Sequence, residues 1–348
     1  MRKRVGLRVK HSFLDFAKLV SDYQQSNKIL HQNFSNIIVV GAGGSTQGSK
    51  AITSFLCEKR VIYFDHLDSF LIDETINKIE IKNTCFMFIS KSGETSEILT
   101  IFEYLKRKLE KKIVIKDNFI VLTEIKSSTL GNLALQNMIK TIEYNKDIGG
   151  RFSIFSNVSL LPGFYFQRDF VENFLNGGKK VLDKINDAQS EAKKEFTNLK
   201  NDRNIFALLT YGYELTELAL WKKQLYAESL GKNKKGIVPI WSEMPKDQHS
   251  MLQLYLDGPD NIYFEILGID YEEINLINMT LTNHMNATFQ SITEKDLPCK
   301  MSIFKKNDIE SFGYYCGFEM IKVVFLGELM GINPFDQPAV DNQKKYLN

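Results

Sequence analysis

The chain is short of the residues that build cross-links and metal cages. Its 348 residues include four cysteines, Cys57, Cys85, Cys299 and Cys316, and none stands in a CxxC spacing. The five histidines form no cluster with ligand spacing. Neither a disulfide framework nor a metal site is expected, and a reducing compartment fits. No stretch approaches the ~18 consecutive apolar residues of a membrane span. The first residues, MRKRVGLRVKHSFLDF, are basic, but no apolar core follows them. Neither a secretory signal nor a transit peptide is expected, and the expected location is cytoplasmic. Charge of one sign is also missing. A formal net charge of +2 gives no global field to attract nucleic acid or a membrane, so neither is expected as a partner. The paired lysines Lys222-Lys223, Lys234-Lys235 and Lys344-Lys345 are short, scattered runs and read as solvated faces.

What remains has an ordinary globular composition, with 43% hydrophobic and 25% charged residues. The length suggests about two domains. Strand-like and helix-like segments alternate, the pattern of an α/β fold with mostly parallel sheets. Strands are predicted at Asn36–Val40, Val61–Asp65, Cys85–Ile89, Phe119–Glu124, Ile205–Thr210 and Ile262–Leu267. Helices are predicted near Gln47–Cys57, Glu94–Leu109, Val181–Leu199, Glu214–Glu228 and Ile309–Met330. The polar stretch 181–199 suggests a boundary near residue 180, giving domains 1–180 and 181–348.

Two loops could hold a phosphate, because helix N-termini at the carboxyl ends of parallel strands present free backbone N–H groups. The first is FISKSGETSE, residues 88–97, where an apolar strand opens onto Ser90, Lys91, Ser92, Gly93 and Thr95. One hydroxyl would suffice as a helix cap; several clustered ones favour an anion site. The second is GAGGSTQG, residues 41–48. Its glycines and Asp65 on the next strand invite a dinucleotide reading. However, Thr46 stands where GxGxxG needs glycine, and no GKS or GKT ending follows. Gly44 and Ser45 suit close approach to a smaller ligand.

Residues able to do chemistry lie further on. In QLYAESLGK, residues 224–232, Gln224 and Glu228 stand one helical turn apart, and the carboxylate could act as a base. His249, in KDQHSMLQLYLDGP, falls between a turn and an apolar-patterned helix. Arg151 follows two glycines in IGGRFS. NPFDQPAVDNQKKY, at the carboxyl end, places two prolines around Asp336 and Gln337, which implies that the tail docks on something rather than fraying. Taken singly, each has an ordinary structural explanation.

Taken in order, GAGGS, SKSGETSE, GGRFS, QLYAESLGK, DQHS and NPFDQPAVDNQK resemble the glucose-6-phosphate isomerase family, whose members are built from two sugar-isomerase (SIS-type) α/β domains. The resemblance runs from about residue 36 to residue 344. Leu230, where many members carry asparagine, resembles short bacterial relatives. The resemblance implies that Ser90, Ser92 and Thr95, with backbone near Lys91, hold the phosphate, and that Gly44 and Ser45 lie beside the sugar. It implies that Glu228 is the base moving a proton between C2 and C1 through a cis-enediol(ate). Arg151 is then the cation that stabilises the charge developing on that intermediate. By the same resemblance His249 and Lys344 open the sugar ring, Glu97 orients the histidine, and Gln224 and Gln337 contact substrate. The Gln337-to-Lys344 interval keeps the family spacing, which selects Lys344 over Lys345.

The family implies a homodimer with His249 supplied across the interface, a cytoplasmic place in glycolysis and gluconeogenesis, and no cofactor, so activity should resist chelators. Two alternatives share the phosphate loop. One is an SIS-type isomerase of a mannose or amino-sugar phosphate, although no glutamine-hydrolysing domain accompanies this chain. The other is a non-catalytic sugar-phosphate sensor, although no basic helix-turn-helix pattern is present.

Overall fold

The computed structural model describes residues 11–30, 33–124 and 127–340. The chain divides into two compact units. The first comprises Met1–Thr53 and Glu58–Val171; the second comprises Ser54–Cys57 and Glu172–Asn348.

The first unit is built on five parallel strands: β1 (Asn36–Gly41), β2 (Val61–Phe64), β3 (Thr84–Ile89), β4 (Phe119–Thr123) and β5 (Lys140–Glu143), in the order β2-β1-β3-β4-β5. β1 and β3 are apolar because both sheet faces are covered, and every residue of β3 is buried. Ile38, Val40, Phe86, Phe88 and Val121 pack on helices to one side. Helix α1 (Gln47–Phe55) follows β1, and helix α2 (Ser96–Leu109) follows β3. α2 starts two residues later than the sequence suggests. Gly93 takes a left-handed φ of +71° and Thr95 stays extended, so SKSGET remains a loop.

The second unit repeats the plan with four parallel strands: β6 (Ile205–Tyr211), β7 (Val238–Met244), β8 (Ile262–Asp270) and β9 (Cys299–Lys305), in the order β7-β6-β8-β9. Its helices include α3 (Ile185–Lys200), α4 (Thr216–Leu230), α5 (Leu276–Thr293) and α6 (Ile309–Met330). In both units the second strand lies to one side of the first and the third to the other. This doubly wound order puts helices on both faces and leaves a crevice at the carboxyl ends of the first and third strands. The stretch 181–199 belongs to the second unit, as a single turn over Val181–Lys184 followed by α3.

One lysine pair departs from its solvated reading. Lys222 is fully buried between α4, β8 and α6. It pairs with Glu265, with Glu319 at 2.8 Å, and donates to Tyr315 Oη at 2.8 Å. Lys322 pairs with Glu195 at 3.0 Å and Glu319 at 2.9 Å. The lysine is inside because buried carboxylates need a compensating cation. Lys234 and Lys235 are exposed as expected, and Lys344 and Lys345 lie outside the described residues.

Candidate active site

In the first unit the two candidate phosphate loops meet across the crevice. Gly41, where β1 ends, stands in register with Ile89, where β3 ends. Within SKSGETSE, Ser90 is buried, and its hydroxyl lies 2.9 Å from that of Thr95 and accepts from Gly93 N at 3.1 Å. Ser92 Oγ accepts from Glu94 N at 3.1 Å. Thr95 is the N-cap of α2, yet its side chain makes no capping bond. The loop therefore carries more hydroxyl groups than its own helix uses. Glu94 braces the loop by accepting from Thr129 N and Oγ1, both at 2.7 Å. Glu97, in the first turn of α2, accepts from Ser96 Oγ at 3.0 Å.

The GGR segment joins the same edge. Ser153 Oγ donates to Gly44 O at 3.0 Å, and the helical turn Gly150–Phe155 carries Arg151, which is 3% exposed. Gly44, Ser45, Ser90, Lys91, Ser92, Thr95 and Arg151 thus gather at the carboxyl edge of one sheet. This edge has hydroxyls and a helix N-terminus that suit an anion, and a buried guanidinium. Asp65, the acid that invited the dinucleotide reading, is paired instead with Lys50 at 3.0 Å.

In the second unit, Gln224 Nε2 donates to Glu228 Oε1 at 2.6 Å, in the last turns of α4. Both side chains are half-buried. The tail docks as its prolines suggest, with Pro334 buried and Lys232 paired with Asp336 at 3.0 Å. Gln337 is exposed on that tail. His249 ends the turn Lys246–His249 after β7 and is exposed. Its neighbours are firmly held: Gln248 bonds Tyr211, Thr288 and His284, and Asp247 accepts from Glu243 N at 2.9 Å. Glu228 and His249 are not brought together. α4 enters β7 at its amino end, whereas His249 follows its carboxyl end. The strand has 7 residues, roughly 23 Å at 3.3 Å per residue.

A family model of phosphoglucose isomerase matches residues 9–258. The glucose-6-phosphate isomerase of Methanocaldococcus jannaschii is 30% identical over 338 residues, covering 90% of this chain and 83% of that protein. The chain belongs to the phosphoglucose isomerase family.

Solved structures agree on the fold. A glucose-6-phosphate isomerase from Chlamydia trachomatis aligns with a TM-score of 0.80 at 20% identity, over 95% of this chain and 73% of that one. The tagatose-6-phosphate ketose/aldose isomerase of Escherichia coli aligns with a TM-score of 0.58 at 12% identity, over 93% and 89%. The chain thus shares its α/β fold with both structures. The phosphoglucose isomerase match takes in Arg151, Glu228 and His249 and stops short of Gln337. Lys232, Gln248 and Asp336 lie inside quoted motifs, but residue type alone assigns them no role, and only the fold shows the bonds they make.

Proposed function

We propose that this chain, an isomerase of its family's kind, interconverts glucose 6-phosphate and fructose 6-phosphate by opening the ring and moving a proton between C2 and C1. Ser90, Ser92 and Thr95, with the backbone near Lys91 and the N-terminus of α2, hold the phosphate, and Gly44 and Ser45 border the sugar. Glu228 takes the proton from C2 of the open-chain aldose, leaving a cis-enediol(ate), and returns it to C1 to give the ketose. Proton transfer by a positioned carboxylate contributes about 10²–10⁴-fold. Arg151 lowers the energy of the charged intermediate, a role that suits a buried cation with little water to screen it. Gln224 and Gln337 contact the sugar, and Gln224 also orients the Glu228 carboxylate. His249 and Lys344 open the ring, and Glu97 orients the histidine.

The observation that carries this reading is the Gln224–Glu228 bond at 2.6 Å. It presents an oriented, half-buried carboxylate at a helix end. The strand separating Glu228 from His249 supports a second element: the histidine acting with Glu228 comes from a partner copy, so the working enzyme is a homodimer. The same reading places the enzyme in cytoplasmic glycolysis and gluconeogenesis.

The deciding experiment couples fructose 6-phosphate turnover to glucose-6-phosphate dehydrogenase with no metal added. Glu228→Gln should retain sugar-phosphate binding by calorimetry and lose turnover by orders of magnitude. A wild-type chain that binds sugar phosphate without turning it over would instead favour the sensor. A fully active monomer by light scattering would sink the shared site.

A further inference from the structure

The parallel plan of the second unit sends α4 and α6 antiparallel to their strands, so both helices end on the amino edge of the sheet. Just beyond α4, Lys232 and Lys235 pair across a two-residue turn in which Asn233 and Lys234 take φ of +54° and +58°. This turn points Lys232 at the segment leaving α6. Its ammonium lies 3.0 Å from Asp336 Oδ1 and also donates to the carbonyl of Asn333, 101 residues away in sequence. The Lys232 side chain is 8% exposed, which sets it apart from the open surface pairs that contribute little.

The segment that receives this lysine is braced from within. Asp336 Oδ2 accepts from Asn333 Nδ2 at 3.0 Å, and Asn333 Oδ1 accepts from Phe335 N at 3.0 Å. Lys235 Nζ donates to Met330 O at 3.2 Å. Pro334 packs so closely on α6 that a Cβ at Gly327 would lie 3.1 Å from it. Two cations from the loop after α4 thus grip the start of the tail, and the next residue after Asp336 is Gln337.

We propose that Lys232 is a positioning residue for the isomerisation, its ammonium latching Asp336 and Asn333 so that Gln337 is presented to the sugar phosphate beside the helix end that carries Glu228. The latch rests on the reading of Gln337 as a substrate contact. It turns two motifs of unassigned purpose, the lysine of QLYAESLGK and the aspartate of NPFDQP, into one device.

The test uses the full chain and two readouts: hydrogen exchange of amides in 333–340, and steady-state isomerisation of fructose 6-phosphate. Lys232→Met should speed exchange in that segment and lower kcat/KM roughly 10- to 100-fold, as misplacement of a substrate-contacting group does. Lys232→Arg, whose guanidinium can reach the same oxygens, should keep most of the activity. Adding Gln337→Ala to Lys232→Met should cost little more than Lys232→Met alone, because the two act through one contact. Unchanged exchange, or full additivity of the two substitutions, overturns the latch. If Lys232→Met fails to fold, Asp336→Asn breaks the same pair from its exposed side and is read the same way. If the wild type itself turns over no substrate, the functional reading fails, while exchange still decides whether the latch holds.

Discussion

Gly44 and Gly150 pack backbone against backbone: a Cβ added at Gly44 would lie 2.2 Å from the carbonyl carbon of Gly150. This contact sets the distance between the glycine loop and the turn that carries Arg151. Gly44→Ala must push one of the two segments away. The expected result is a stability loss of about 1–3 kcal/mol, as overpacking costs, with a kcat/KM loss of roughly 100-fold as Arg151 moves. Urea unfolding and coupled turnover would measure both; an alanine variant with wild-type kcat/KM would show that the approach serves packing alone.

Gln248 tethers the turn that carries His249. Its Nε2 donates to Tyr211 Oη at 3.0 Å and Thr288 Oγ1 at 2.7 Å, and its Oε1 lies 2.8 Å from His284 Nδ1. An amide oxygen only accepts, so Nδ1 of His284 carries the proton. Tyr211 is mostly buried, which pushes its hydroxyl up to about 12 and keeps it a donor to Thr288 at physiological pH. Gln248→Ala should therefore loosen His249 and lower kcat about tenfold, with little change in phosphate affinity. An equal rise in KM with unchanged kcat would place the network in binding instead.

The fold was legible where burial on both faces makes a strand continuously apolar. β1, β3, β4 and β6 announce themselves in this way, β8 does so around Glu265, the edge strand β2 was read as well, and the closing helix Ile309–Met330 appears with the bounds the sequence suggests. Three strands escaped the reading: β5, β7 and β9. All three are sheet edges. β5 is short and buries only Ile142, β7 carries Pro239, and β9 is mostly half-buried. Edge strands carry charge and proline because an apolar edge would invite another chain to pair. The features that protect them also hide their period.

The site was legible in residue types but not in their grouping. Nothing in GAGGS or GGRFS says that Gly44 and Gly150 touch, because that contact joins residues 106 apart in sequence through the fold of the whole sheet. Lys222 shows the same limit. Beside Lys223 it looks like surface, and only Glu265 and Glu319, contributed by a strand and a helix far along the chain, explain its burial.

Removing that lysine should be costly. Lys222→Met would leave Glu265 and Glu319, both essentially inaccessible to water, with Lys322 and the half-exposed Lys300 as their remaining cations. Breaking one side of a buried ion pair typically costs about 3–5 kcal/mol, and a drop of that size is expected in urea unfolding at neutral pH. A loss below about 1 kcal/mol would mean that water or Lys300 replaces the missing charge.

The same cluster sets an acid limit. Burial pushes the Glu265 carboxyl up, but the Lys222 ammonium, with Lys300 and Lys322, outweighs it and holds the group below its ordinary value of 4.5. Glu319 is lowered in the same direction, burial again being outweighed by Lys222 and Lys322. A carboxyl lowered by folding contributes stability that is fully present above the unfolded-chain value and is lost as pH falls through the folded one. Stability from the cluster should therefore be level at neutral pH and begin to fall below about pH 5, by up to about 1.4 kcal/mol per pH unit for each group. The double variant Lys222→Met/Glu265→Gln removes one such group together with its cation, so its stability should fall less steeply with acid. Parallel urea midpoints for the two proteins from about pH 5 down to pH 3 would show that Glu265 contributes nothing to the acid transition.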